Sequence, residues 1–171
     1  MCDILDKLKG GDRRSIGRVP EVIQDIGDDP SLFAQLFSGL LNDDPLVRMR
    51  AADAVEKISV EHREYLQTFK KTLLNRIAVI EQKEIHWHLA QMLPRLDLDQ
   101  HERSRAAEIL IGFLEDDSKI VKTFSLQALF DLAVEDERLQ PLVTRTLQDM
   151  VGSDSPAVRN RAEKLIVRLN R

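Results

Sequence analysis

The feature that most constrains this chain is a five-column register that recurs four times. Val47, Ile85, Val121 and Val158 follow one another at intervals of 38, 36 and 37 residues. Four positions before each stands an acid: Asp43, Glu81, Asp117 and Asp154. One position after each stands a base: Arg48, His86, Lys122 and Arg159. Four positions after come Ala51, Leu89, Ser125 and Ala162, and eleven positions before come Leu36, Leu74, Leu110 and Leu147. A register held this tightly through unrelated intervening residues requires one supersecondary unit stacked repeatedly on itself. Each unit is too small to bury its apolar side alone.

The apolar spacing within a unit is helical, as in Leu32, Leu36 and Leu40, then Val47, Ala51, Ala54 and Ile58. Asp29-Pro30, Asp44-Pro45 and Ser155-Pro156 each place a capping side chain before a proline, which loses no hydrogen bond at the first helical position. Two helices per unit are predicted. The first helices span 31–42, 64–80, 100–115 and 137–151, and the second helices 45–60, 83–96, 119–134 and 156–169. No stretch alternates at strand period. The expected fold class is all-α: one domain over 1–171, with about four helix pairs over 29–171 behind an irregular N-terminal cap over 1–28. Gly10, Gly11, Gly17 and Pro20 break up that cap, and Val22, Ile23 and Ile26 predict a helix from about Pro20 onward. Gly10-Gly11-Asp12 lacks the Gly-Lys-Ser/Thr ending of a phosphate loop.

The second helix of the first unit, with Asp43, Val47, Arg48, Ala51 and Ala54, resembles the HEAT-repeat family, especially the short bacterial and archaeal HEAT-like arrays. Ser153, Asp154, Pro156, Val158 and Arg159 look like the same motif again. The likeness covers roughly residues 30–171 and departs at Glu81, Ile85 and His86, where the family has Asp, Val and Arg. It implies antiparallel helix pairs in a right-handed α-α superhelix, with second helices lining a concave face that binds protein. It implies no reaction.

Apolar residues make up 43% of the chain and aromatics only 5%, so a core of Leu, Ile, Val and Ala is expected. No run approaches the length of a membrane span and the start does not read as a signal peptide, so no membrane partner is expected. Cys2 is the only cysteine, which excludes an internal disulfide and makes a reducing, cytoplasmic setting the default. The net charge of −4 is unevenly spread. Residues 1–20 carry +2 and residues 155–171 carry +4, leaving −10 on 19–154. An acidic body repels phosphates at long range and argues against nucleic acid as a partner.

At 100° per residue, Met49, Trp87, Phe130 and Val167 fall opposite the buried stripe. They are expected to form an apolar seam in a groove that binds another protein. Asp43, Glu81, Asp117 and Asp154 are expected to cap helices, and Arg48, His86, Lys122 and Arg159 to reach acids in adjacent units as an inter-repeat ladder. His86 and His88 point about 200° apart and cannot share a metal, and Glu84 with His88 lacks a third ligand, so neither metal nor cofactor is expected. No serine or cysteine lies in a nucleophile motif, and no catalysis is expected. The competing function is an enzyme or nucleic-acid-acting protein using the groove around Trp87 and Gln91, which is similar to that of HEAT-like DNA glycosylases. Bilin lyases with HEAT-like repeats are a comparison at the level of fold alone. Self-association through the array ends is a third expectation.

Overall fold

Each second helix opens with the same first turn. The backbone N–H groups of Arg48, His86, Lys122 and Arg159 donate to the carbonyls of Asp44, Gln82, Ser118 and Ser155 at 3.0, 3.0, 3.1 and 3.0 Å. The computed structural model describes residues 3–12 and 14–169. Cys2 and the charges of Arg13 and Arg171 lie outside the described residues. In order, the helices are α1 Val19–Asp28, α2 Phe33–Ser38, α3 Pro45–Glu61, α4 Glu64–Gln67, α5 Lys70–Thr72, α6 Lys83–Met92, α7 Gln100–Phe113, α8 Lys119–Glu135, α9 Gln140–Val151 and α10 Pro156–Leu169. The described residues contain no strand, and none of their helices is long and apolar enough to cross a membrane.

All four second helices form where predicted, as α3, α6, α8 and α10. The first helices are less regular. The predicted 31–42 helix is α2 flanked by 3₁₀ turns at Pro30–Leu32 and Gly39–Leu41. The predicted 64–80 helix breaks into α4, α5 and a π-helical turn over Leu73–Ile77, closed by the Ala78 N–H on the Leu73 carbonyl at 3.2 Å. The predicted 137–151 helix starts as a turn over Glu137–Leu139. Asp136 caps it by accepting from the Arg138 backbone (3.1 Å) and guanidinium (2.8 and 2.9 Å), and these Arg138 bonds hold its carboxyl down to about 2.

The chain forms two compact units, Met1–Arg95 and Leu96–Arg171. In the first, α3 packs against α1, α2 and α6. In the second, α7 packs on α8 and α9 on α10, while α8 also packs on α10. Each unit therefore holds two helix pairs with consecutive second helices side by side. The Leu36, Val47 and Ala51 columns are buried in all four copies, none of them more than 4% exposed. Ser125 is the polar member, and its buried hydroxyl has no hydrogen-bond partner among the described residues.

The N-terminal cap is built around one buried arginine. Arg50, only 2% exposed, sends its guanidinium into the loop that follows the Ile4–Leu8 turn. It donates to four backbone carbonyls: Leu8 (2.9 Å), Gly10 (2.6 Å), Asp12 (3.1 Å) and Ser15 (3.1 Å). Gly17, at φ +58°, completes the enclosure, since a Cβ there would lie 2.9 Å from Arg50 Cζ. The same segment closes over Gly39. A Cβ on Gly39 would sit 2.8 Å from Ala51 Cβ and 2.9 Å from Leu5 Cδ2, so only glycine admits α3 and the N-terminal turn this close.

Candidate functional site

The four residues expected in one apolar seam have different environments. Met49 and Trp87 are half-buried in the first unit, where Trp87 lies 5.6 Å from the His88 ring between centroids. Beside Met49 is a shallow cleft of about 220 Å³ whose walls include Arg48, Glu81 and Glu84. In the second unit Val167 is 54% exposed, but Phe130 is only 5% exposed, with Arg168 Cζ 4.6 Å from its ring centroid. The expectation that Phe130 opens into a groove is corrected. A residue opposite the core stripe of an isolated helix faces solvent, whereas in a stack it meets the next second helix.

The acid and base columns also act differently from expectation. Asp43, Glu81, Asp117 and Asp154 are exposed and lie one residue before the caps. Capping is done by Asp44, which accepts from Leu46 N–H at 2.8 Å, and by Ser118, which accepts from Val121 N–H at 3.4 Å. Gln82 occupies the equivalent place without a capping bond. Pro45 and Pro156 at the first helical position set this phase. The bases clamp the loop before their own helix. Arg48 donates to Asn42 O (2.8 Å), His86 Nε2 lies 2.9 Å from Ile80 O, and Arg159 donates to Ser153 O (2.7 Å), each six residues back. Lys122 is half-buried. Arg48 does reach the next repeat, but its partner there is Gln82 Oε1 at 2.9 Å, an amide rather than an acid.

Other columns do bind neighbouring repeats, and they follow one rule. The side chain six positions past the Val47 column meets the one three positions past it in the following repeat. In the first unit these are Asp53 and His88, with Oδ1 and Nε2 3.9 Å apart. In the second they are Gln127 and Arg161, joined by a 2.7 Å hydrogen bond. The side chain nine positions past the column meets the one ten positions past it. Arg95 donates to Glu56 Oε1 at 2.6 Å in the first unit, and Arg168 covers Phe130 in the second. Arg95 also donates to the Glu56 carbonyl and to Ser59 Oγ, both at 2.7 Å. At the front of the array Arg50 holds the three-position place, with the N-terminal loop standing in for a preceding repeat. The sequence reading missed these columns because their residue types change from copy to copy, so no single-type register marks them.

Applied to α10, the rule picks out Lys164 and Val167, both exposed. They lie on an open cleft of about 680 Å³ that also takes in Gln127, Asn160, Arg161 and Arg168. Arg161 is held by Gln127, whose amide in turn donates to Asp131 Oδ1 at 2.9 Å. Burial pushes the Asp131 carboxyl up, against the pull of that hydrogen bond and of Arg168 and Arg161. Lys164 and Val167 thus stand exposed between two arginines, each anchored by a contact to α8.

His88 is also perturbed. Burial pushes its imidazole down to about 4, Asp53 opposes this, Lys57 assists it, and Nδ1 is buried without a partner among the described residues. Among the described residues no three His, Cys, Asp or Glu side chains gather closely enough to hold a metal.

No protein-family model matches the chain, and no curated protein matches it. Solved structures do. An engineered protein of the Northeast Structural Genomics Consortium is 18% identical, with a TM-score of 0.69 over 97% of this chain and 79% of its own. A second engineered protein from the same consortium is 16% identical, with a TM-score of 0.69 over 99% of this chain and 80% of its own. At such identities the likeness concerns the fold alone, which is an all-α array of stacked helix pairs.

Proposed function

We propose that this protein is a HEAT-like interaction scaffold without catalytic activity, and that the exposed face of α10 carrying Lys164 and Val167 receives a segment of another protein. The observation that carries this reading is the pairing of Lys164 and Val167 on that face. A base and an aliphatic side chain stand exposed together on one helix, flanked by anchored Arg161 and Arg168. Interaction sites join an apolar centre to a charged rim in this way, and arginine is enriched at them. The cleft itself is basic, with Arg161, Lys164 and Arg168 against Glu163, which suits an acidic segment, while the acidic character of residues 19–154 disfavours a long phosphate backbone. The same holds around Trp87, where Glu81 and Glu84 stand near Met49. The single cysteine fits a reducing, cytoplasmic setting.

The test is affinity capture from native extract with the full chain, beside a Lys164→Glu/Val167→Asp variant shown by circular dichroism to keep its helicity. Proteins retained by the wild type and lost by the variant, and rebinding directly once purified, support the reading. Equal retention by both, or loss of all retention above about 0.3 M salt with nucleic acid in the eluate, overturns it.

A further inference from the structure

The two locks between successive second helices define what α10 is shaped to meet. In each unit the leading helix offers side chains six and nine positions past the Val47 column. The following helix answers from positions three and ten. Six and nine are neighbours on one helical face, and three and ten are two turns apart on one stripe of the follower. In three of the four pairs the follower is an arginine whose chemistry suits its leader, a carboxylate, an amide or an aromatic ring, while the His88 imidazole beside Asp53 is kept uncharged by burial. Asp53 and Glu56 face His88 and Arg95, and Gln127 and Phe130 face Arg161 and Arg168. On α10 the leading pair is Lys164 and Val167, a base and an aliphatic group, with Arg161 and Arg168 adding positive charge on either side.

We infer that the α10 face seats an amphipathic α-helix of a partner protein that carries an acid at one position and an apolar residue seven positions later. This rests on the reading of α10 as a protein-binding face. A second copy of this chain is the obvious competitor, and its own residues argue against it. The pairs that its second helices would present are Arg50 with Lys57, His88 with Arg95, Phe124 with Asp131, and Arg161 with Arg168. Three set a base or histidine against Lys164, and the fourth has the apolar and acidic residues in reversed order. Stacking end to end in the manner of the repeats therefore brings like charges together or leaves Lys164 against an aromatic ring.

The probe is a pair of fluorescent helical peptides of about 20 residues, long enough to hold helix once stapled. They have identical composition. One carries Glu and Leu seven apart, and the other carries them five apart, which turns Leu about 140° away. Anisotropy titrations against the full chain should favour the matched peptide by about tenfold or more. Lys164→Glu should remove that preference, and a matched peptide with Lys in place of Glu should restore binding to the variant. Equal binding of both peptides, or none, overturns the inference. So does sedimentation showing a dimer of the wild type that Lys164→Glu dissolves, since the second copy is then the occupant. If the peptides fail while capture from extract still depends on Lys164 and Val167, the helix geometry falls and the scaffold reading stands.

Discussion

Replacing Arg50 with methionine removes the centre of the N-terminal cap while keeping most of the side chain's length. The wild-type guanidinium makes four hydrogen bonds, to the carbonyls of Leu8, Gly10, Asp12 and Ser15. Bonds from a charged donor contribute about 1.5–3 kcal/mol each when considered singly. Two effects reduce the sum. Gly10, Asp12 and Ser15 are exposed, so their carbonyls take up water once released. The buried guanidinium also carries a desolvation cost that the variant escapes. A net loss of about 3 kcal/mol is expected, which lowers the melting temperature by about 6–12 °C for a domain of this length. Arg50→Lys keeps the charge but cannot fork to four carbonyls, so it should fall between the two. Hydrogen exchange localises the effect. The amides of Ser15 and Val19, bonded to Asp12 O and Ile16 O, should lose protection, while those of α8 and α10 keep theirs. A melting temperature for Arg50→Met within about 1 °C of wild type, with unchanged exchange in residues 9–19, would refute this account of the cap.

Asp44→Ala should lower stability by about 1 kcal/mol through loss of the cap on α3, whereas Asp43→Ala should change it by less than about 0.5 kcal/mol; urea titrations of both variants decide which residue caps. Ser125→Ala removes a buried hydroxyl that has no partner among the described residues and restores the alanine found at that place in the first and last repeats, so it should raise stability by about 1 kcal/mol in the same assay. His88 is held near 4 in the folded chain against an ordinary 6.5. Between those values the unfolded chain binds a proton that the folded chain refuses, so stability should fall as pH drops from about 6.5 to 4, by up to about 3 kcal/mol at 1.36 kcal/mol per unit. His88→Gln should flatten that slope in denaturant titrations at several pH values, and an unchanged slope would show that His88 is not its source.

The helical array was legible because its signals are local. The Val47 column recurs once per repeat, and proline after Asp44 and Ser155 marks where helices begin. These features select an α-helix and its buried stripe without reference to the rest of the chain. The same locality explains the misplaced caps. The acid column is the more regular in sequence, but the capping place is the residue after it, which a following proline marks only in α3 and α10. Fragmentation of the 64–80 helix had no clear marker, since its Leu73, Leu74 and Ile77 fit a continuous helix as well as a π-helical turn.

The sequence by itself determined that the chain is a stack of helix pairs, which columns lie in the core, and that the ends are basic while the middle is acidic. It did so because helical periodicity and backbone capping act over a few residues. Only the tertiary structure decided that Arg50 closes the N-terminal loop, that Phe130 lies beneath Arg168, and that Lys164 and Val167 are the exposed pair on α10. The contacts behind them join residues 34 to 42 positions apart, through the fold of the N-terminal loop at Arg50 and through the offset with which α10 slides against α8. That offset is set by the shapes of all the side chains packed between the two helices, and no periodicity along a single helix encodes it.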